Sequence, residues 1–157
     1  MLQRAAPTIR ELLSYRLHRV ANLLSRGAEM RYRRQFGVSL WEWRTVALLG
    51  GAQEPQSLND LARAAGVDKA QMSRVVSGLR ARKLVSREAD AKDARGIRLS
   101  LTRAGAKLYQ SLIDAAAERN SAFLGCLTER ERAALERIMD KLAREARAFI
   151  QKEKGGK

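Results

Sequence analysis

A mostly α-helical fold carrying one small β-hairpin is what the sequence predicts, and three observations predict it. Apolar residues recur three to four positions apart along most of the chain, the period of one helix face. Five times a Ser, Thr or Asp precedes an acid or amide by three residues: Thr8/Glu11, Ser39/Glu42, Ser57/Asp60, Asp68/Gln71 and Thr128/Glu131. That pairing caps a helix by satisfying its orphan amides. Two short stretches, Leu84 to Glu88 and Ile97 to Leu101, instead alternate apolar and polar, as half-buried strands do.

The first helix is expected from Ile9 to Gln35, with Ile9, Leu13, Leu17, Val20, Leu24 and Ala28 in one stripe. Leu12, Tyr15 and Leu23 widen that stripe, so a helix this long buries more than one side, against a second copy. Gly37 ends it. A second helix, Leu40 to Leu49, carries Trp43, Val46, Ala47 and Leu49, and a turn at Gly50, Gly51 and Pro55 follows. A short helix, Leu58 to Ala65, turns at Gly66-Val67 into another that starts at Asp68 and runs to about Leu84. Two helices joined by so short a Gly-containing turn have the helix-turn-helix form. The two strands, with the polar loop Ala89 to Gly96 between them, add a hairpin wing to it. Thr102 caps a fifth helix, Arg103 to Gly125, and a sixth runs from Glu129 to Gln151. Their apolar stripes have no partner within the helix-turn-helix unit and mark an interface. Gln151 to Lys157 reads as a frayed end.

Charge narrows the function. The 157 residues include 31 basic and 17 acidic ones, a net charge of +14, which points to a polyanion, nucleic acid before an anionic membrane. One cysteine, Cys126, and one histidine, His18, exclude an intrachain disulfide framework and a Cys/His zinc site; no metal and no cofactor is expected. No stretch reaches the roughly 20 apolar residues that span a bilayer, and no signal-peptide core opens the chain. The expectation is a soluble cytoplasmic protein with no membrane partner. No nucleophile–base pair, phosphate loop or GxSxG motif suggests an enzyme.

The order helix, helix, helix-turn-helix, wing, helix, helix resembles the MarR family of bacterial transcription regulators over about residues 9 to 150. The resemblance rests on Leu79 with Leu84-Val85-x-Arg87, on Asp93-x-Arg95 followed by Leu99-x-Leu101-Thr102, on Leu61-Ala62 and on Ser73-Arg74. Lys83 departs from it, standing where the family commonly has Gly. The resemblance implies a homodimer that reads a pseudo-palindromic double-stranded DNA operator, typically as a repressor, and that in many members is released by small aromatic acids or phenols. It divides the chain into a helical dimerisation domain, residues 1–36 and 104–151, a winged helix-turn-helix DNA-binding domain, 37–103, and a flexible tail, 152–157. A nonspecific nucleoid or architectural protein, or a family member without a small-molecule ligand, is the alternative.

Within a helix-turn-helix, base contacts come from the early exposed face of the second helix. Here that face offers Lys69, Gln71, Ser73, Arg74 and Ser77. Gln71 can pair with adenine and Arg74 with guanine. Arg80, Arg82 and Lys83 at its far end suit phosphate or only lend charge, and Arg87 starts the wing. Arg95 at the wing tip suits a narrow, electronegative minor groove. Asp93 repels DNA and fits a wing-structuring role, bonding loop amides or Arg87. For an effector, an aromatic carboxylate or phenol, the candidates are Tyr15, His18, Arg19, Trp43 and Arg44, with Trp43 also readable as core and His18 as an interface residue. Cys126, between the last two helices, reads as buried and inert rather than as an oxidant sensor.

Overall fold

The computed structural model describes residues 7–90 and 93–155, with Asp90 and residues 93–95 described by backbone alone. Its elements run η1 (Ile9–Glu11), α1 (Leu13–Phe36), α2 (Leu40–Gly50), β1 (Gln56–Ser57), α3 (Leu58–Ala65), α4 (Lys69–Ala81), β2 (Val85–Asp90), β3 (Asp93–Leu101), α5 (Arg103–Leu124) and α6 (Glu129–Gly155). This is the mostly α, winged helix-turn-helix architecture that the sequence predicts.

The predicted caps form. Glu42 N donates to Ser39 Oγ at 3.2 Å and Ser39 N to the Glu42 carboxylate at 2.8 Å. Asp60 N donates to Ser57 Oγ at 3.1 Å, Gln71 N to Asp68 Oδ1 at 2.7 Å and Glu131 N to Thr128 Oγ1 at 3.3 Å. Thr8 differs. Its amide donates to Glu11 at 2.7 Å, but the pair closes a single 3-10 turn. Leu12 is then extended (φ −68°, ψ 134°), and α1 starts at Leu13, four residues later than predicted.

The wing is longer than its composition suggests. Ala89 faces Ile97 and Asp90 faces Asp93 across the ladder, so most of the expected loop is strand. A third strand was not expected: Gln56 and Ser57 pair with Leu99 and Arg98, giving the order β1-β3-β2. Backbone pairing needs no side-chain pattern, so polar residues can extend a hairpin and a two-residue strand can hide in a turn. At the other end, α6 continues through Gln-Lys-Glu-Lys, all good helix formers, up to Gly155.

Two compact units result, one up to Ile113 and one from Asp114. The core of the first is Tyr32, Val38, Val46, Leu61, Met72, Leu79, Leu99 and Leu112, each at most 2% exposed. Tyr32 of α1 stacks on Trp43 of α2 with ring centroids 5.1 Å apart. Gly50 accepts the ring of Tyr109 so closely that a Cβ there would lie 2.5 Å from it. In the second unit α6 buries no residue, and Leu135, Ile138, Met139, Phe149 and Ile150 remain exposed.

α4 ends in a left-handed residue. Leu84 N donates to Leu79 O at 2.9 Å and Lys83 N to Arg80 O at 2.8 Å, the paired bonds of a Schellman cap. Lys83 supplies the required φ of 58°, where a Cβ is strained and glycine is not. Lys83→Gly should therefore stabilise the fold by about 0.5–1 kcal/mol, strain relief being partly offset by unfolded-state entropy. Urea unfolding checks this; a lower midpoint for Lys83→Gly would contradict it.

Candidate nucleic-acid interface

The candidate interface is built on α4 and the wing. Gly66, left-handed at φ 70°, ends α3, and Val67 N donates back to Ala62 O at 3.0 Å. The chain thus turns within two residues and restarts at the Asp68 cap. Burial then divides α4 by face. Met72, Val76 and Leu79 are buried, while Lys69, Ser73, Arg74, Ser77 and Arg80 are exposed and Gln71 is half-buried. Beneath it the one buried polar side chain of the described residues, Thr45, donates to Trp41 O at 2.8 Å and lies 3.5 Å from Met72 Sδ.

The outer face is wholly polar or basic. No acidic residue occurs between Asp68 and Glu88. Among the described residues, no ion pair engages Lys69, Arg74, Arg80 or Arg87. Net charge follows the same division. Residues up to Ile113 hold 21 basic and 9 acidic side chains, +12, against 10 and 8, +2, from Asp114.

The hairpin stands beside α4. Val85 and Leu99 point into the core, and the Ser86 and Ser100 hydroxyls bond across the strands at 2.9 Å. Arg87, opposite Leu99, is exposed. The backbone of Asp93 and Arg95 belongs to β3, but their side chains lie outside the described residues, as does any bond from Asp93 to Arg87.

One expected phosphate-facing cation is used internally. Arg82 Nη1 donates to Glu42 Oε1 at 3.0 Å and to Gly37 O at 3.3 Å. Glu42 is the same residue that closes the α2 capping box. Nearby, the Glu29 carboxylate of α1 accepts from both Arg33 Nε and the Leu40 amide that opens α2. Three helix ends therefore meet here: the C-termini of α1 and α4 and the N-terminus of α2. Sequence separation of 40 residues between Glu42 and Arg82 left no periodic signal for this contact.

Known proteins share the arrangement. A MarR family model matches residues 36–96, which contain α2 through most of the wing. A MarR/EmrR family transcriptional regulator from Acinetobacter sp. ADP1 superposes with a TM-score of 0.82 at 27% identity, covering 90% of this chain and 99% of that one. The chain is similar to MarR-family regulators in the sequence of its winged helix-turn-helix and in its fold. A further relative is the HTH-type transcriptional repressor NicR of Pseudomonas putida, 33% identical over 88 residues; the match spans 56% of this chain and 56% of NicR. The Staphylococcus aureus MepR–DNA complex shares the fold, with a TM-score of 0.78 at 23% identity over 85% of this chain and 98% of that one.

Of the residues expected to form a MarR-type effector pocket, two come together. Trp43 and Arg44 line a cleft of about 340 Å³ with Ala47, Leu48, Ala64 and Ala65, between α2 and α3. Trp43 is mostly core, 9% exposed. The Arg44 guanidinium lies 4.8 Å from the Trp41 ring centroid and donates to Ser25 Oγ at 3.3 Å. Tyr15, His18 and Arg19 do not line this cleft. Ser25 marks where α1 meets Arg44, and Tyr15 lies ten residues back, about 15 Å along a helix. His18 is exposed and bonded through Nε2 to Asn22 at 2.8 Å. Cys126 is exposed, not buried as expected, because it sits in the turn after α5, where its thiol donates to Phe123 O at 3.1 Å.

The junction has a pH signature. Burial opposes ionisation of Glu29, but the hydrogen bonds from Arg33 and the Leu40 amide, with the Arg33 charge, outweigh it and hold the carboxyl below its ordinary value. A lowered folded pKa gives stability that is complete above the unfolded value, about 4.3, and lost as pH falls through the folded one. Glu29→Gln should be less stable than wild type at pH 7, with the gap narrowing progressively below about pH 4. Thermal unfolding between pH 3 and 7 measures this; a constant gap would contradict it.

Proposed function

We propose that this protein is a homodimeric DNA-binding transcriptional regulator, a repressor of a pseudo-palindromic operator. The observation that carries the reading is the outward face of α4: basic and polar, without an acid and, among the described residues, without an ion pair, held by a buried apolar face on a capped helix. In this reading residues 37–103 form the DNA-binding domain and residues 1–36 and 104–151 the dimerisation domain, with 152–157 as a tail. Arg74 and Gln71 read bases, Lys69, Ser73, Ser77, Arg80 and Arg87 contact backbone or base edges, and Arg95 enters the minor groove from a wing that Asp93 structures. The NicR repressor and the MepR–DNA complex support the same reading by similarity.

Pairing is supported by apolar surface left uncovered among the described residues. On α1, Leu13 is 54% exposed, Leu17 48% and Val20 55%, along one helical stripe, and Ile9 on η1 is 63% exposed. Soluble proteins rarely leave such a stripe in water. Release by a small aromatic carboxylate or phenol is supported by the α2–α3 cleft, where Trp43 and Ala47 offer apolar walls and Arg44 a cation. A compound that raises the melting temperature in a screen of aromatic acids and phenols should also release operator DNA; one that stabilises without release has another site.

An architectural protein would use the same +12 without choosing a sequence. Gel-shift titrations at several salt concentrations separate the two. Arg74→Ala should cost about 1–3 kcal/mol on the preferred site and little on random duplex. Arg95→Ala should weaken all sequences and reduce the salt slope by about one. A wild type that binds both duplexes alike would support the architectural reading instead.

A further inference from the structure

We infer that the Glu42–Arg82 pair is a positioning device that sets the pitch of α4 from the end of α1. The inference rests on the DNA-reading role proposed for α4. Arg82 is the C-cap of the reading helix, among residues whose composition suggests phosphate contact. Its Nη1 instead joins Glu42 Oε1 at 3.0 Å and Gly37 O at 3.3 Å. Gly37 is the left-handed C-cap of α1 (φ 63°), so the guanidinium grips the end of the pairing helix directly. Glu42 is held in turn, its other oxygen accepting from Ser39 N at 2.8 Å. Its side chain is 19% exposed and that of Arg82 40%, so the pair is shielded more than a rim ion pair. Glu29 completes the chain of contacts by fixing the Leu40 amide to α1.

Each contact ends on an element that has a different task. α1 carries the exposed apolar stripe, α2 lines the cleft with Arg44, and α4 carries Arg74. A rotation of α1 therefore reaches α4 through Gly37 and Glu42, at the helix's C-terminal end. Lys83, left-handed and next to Arg82, makes that end a fixed corner. Arg82 and Glu42 are thus positioning residues: they touch no base, but they decide where Arg74 lies.

Glu42→Gln separates this from a charge effect. The substitution removes a negative charge, so a purely electrostatic role predicts equal or tighter binding to any DNA. Positioning predicts that affinity for a duplex selected by the wild-type protein from random sequence falls about threefold to tenfold, while affinity for random duplex holds or rises. Arg82→Ala should lower the selected-site affinity similarly, and Glu42→Gln with Arg82→Ala should cost less than the two combined. Arg82→Lys should recover part of the loss. Hydrogen exchange of the free protein supplies a readout independent of DNA: the Arg82, Lys83 and Leu84 amides should exchange faster in Glu42→Gln, and those of Val75 and Val76 should not. Unchanged exchange, or additive substitutions with unchanged specificity, overturns the inference. Faster exchange in a protein whose wild type selects no sequence leaves the contact standing and removes the DNA role beneath it.

Discussion

Burial of one face of α4 is the constraint on which the rest of this structure depends. Met72, Val76 and Leu79 are the side chains that fix the helix in its lobe, each at most 5% exposed. Burying each is worth roughly 1.5–3 kcal/mol, enough to hold a helix of 13 residues that would be marginal alone in water. With that face committed, the helical period sends Lys69, Ser73, Arg74, Ser77 and Arg80 outward together. Burial thus determines both how the helix is held and what it presents.

The supports on either side of α4 act on its two ends. At the start, Asp68 satisfies the Gln71 amide and Gly66 turns the chain sharply from α3. At the finish, the Schellman bonds to Leu79 and Arg80 and the Arg82 contacts to Glu42 and Gly37 stop the helix from fraying. The wing is tied in beyond this corner: Thr102 Oγ1 donates to Lys83 O at 2.7 Å, and Thr102 N donates to Leu84 O at 3.1 Å. Gly105 fits against that same Leu84 carbonyl, where a Cβ would lie only 2.0 Å away. The helix α4, the wing and the start of α5 therefore share one corner, and a shift of any of them strains the others.

Much of this was legible in the sequence because it is local. A cap needs residues three apart, a helix face residues three and four apart, a strand residues two apart, and each leaves its period in the chain. The helix-turn-helix, four of the five expected helix starts and the two main strands followed from such patterns. The resemblance marked Lys83 as standing where glycine is common, and the left-handed backbone found there is the reason glycine suits the position. What was not legible is long-range or patternless. Glu42 and Arg82 meet across 40 residues, and Arg82 looked like one more cation of a basic tail. The short strand at Gln56 depends on where β3 passes, and the extended Leu12 carries neither Pro nor Gly to announce it. For the candidate site, the outward residues of α4 follow from the same period that builds its core. The effector residues required knowing which side of α1 meets α2; of that set, Trp43 and Arg44 line the α2–α3 cleft.

In the proposed function two copies of α4 read DNA together, spaced by the helices outside the winged lobe. Hydroxyl-radical footprinting of the wild-type protein on its selected duplex tests this most directly. Two protected half-sites about one helical turn apart, related by a two-fold axis and lying on one face of the duplex, are the predicted result. A single protected half-site bound at full affinity, or protection spread evenly along the duplex, would contradict it.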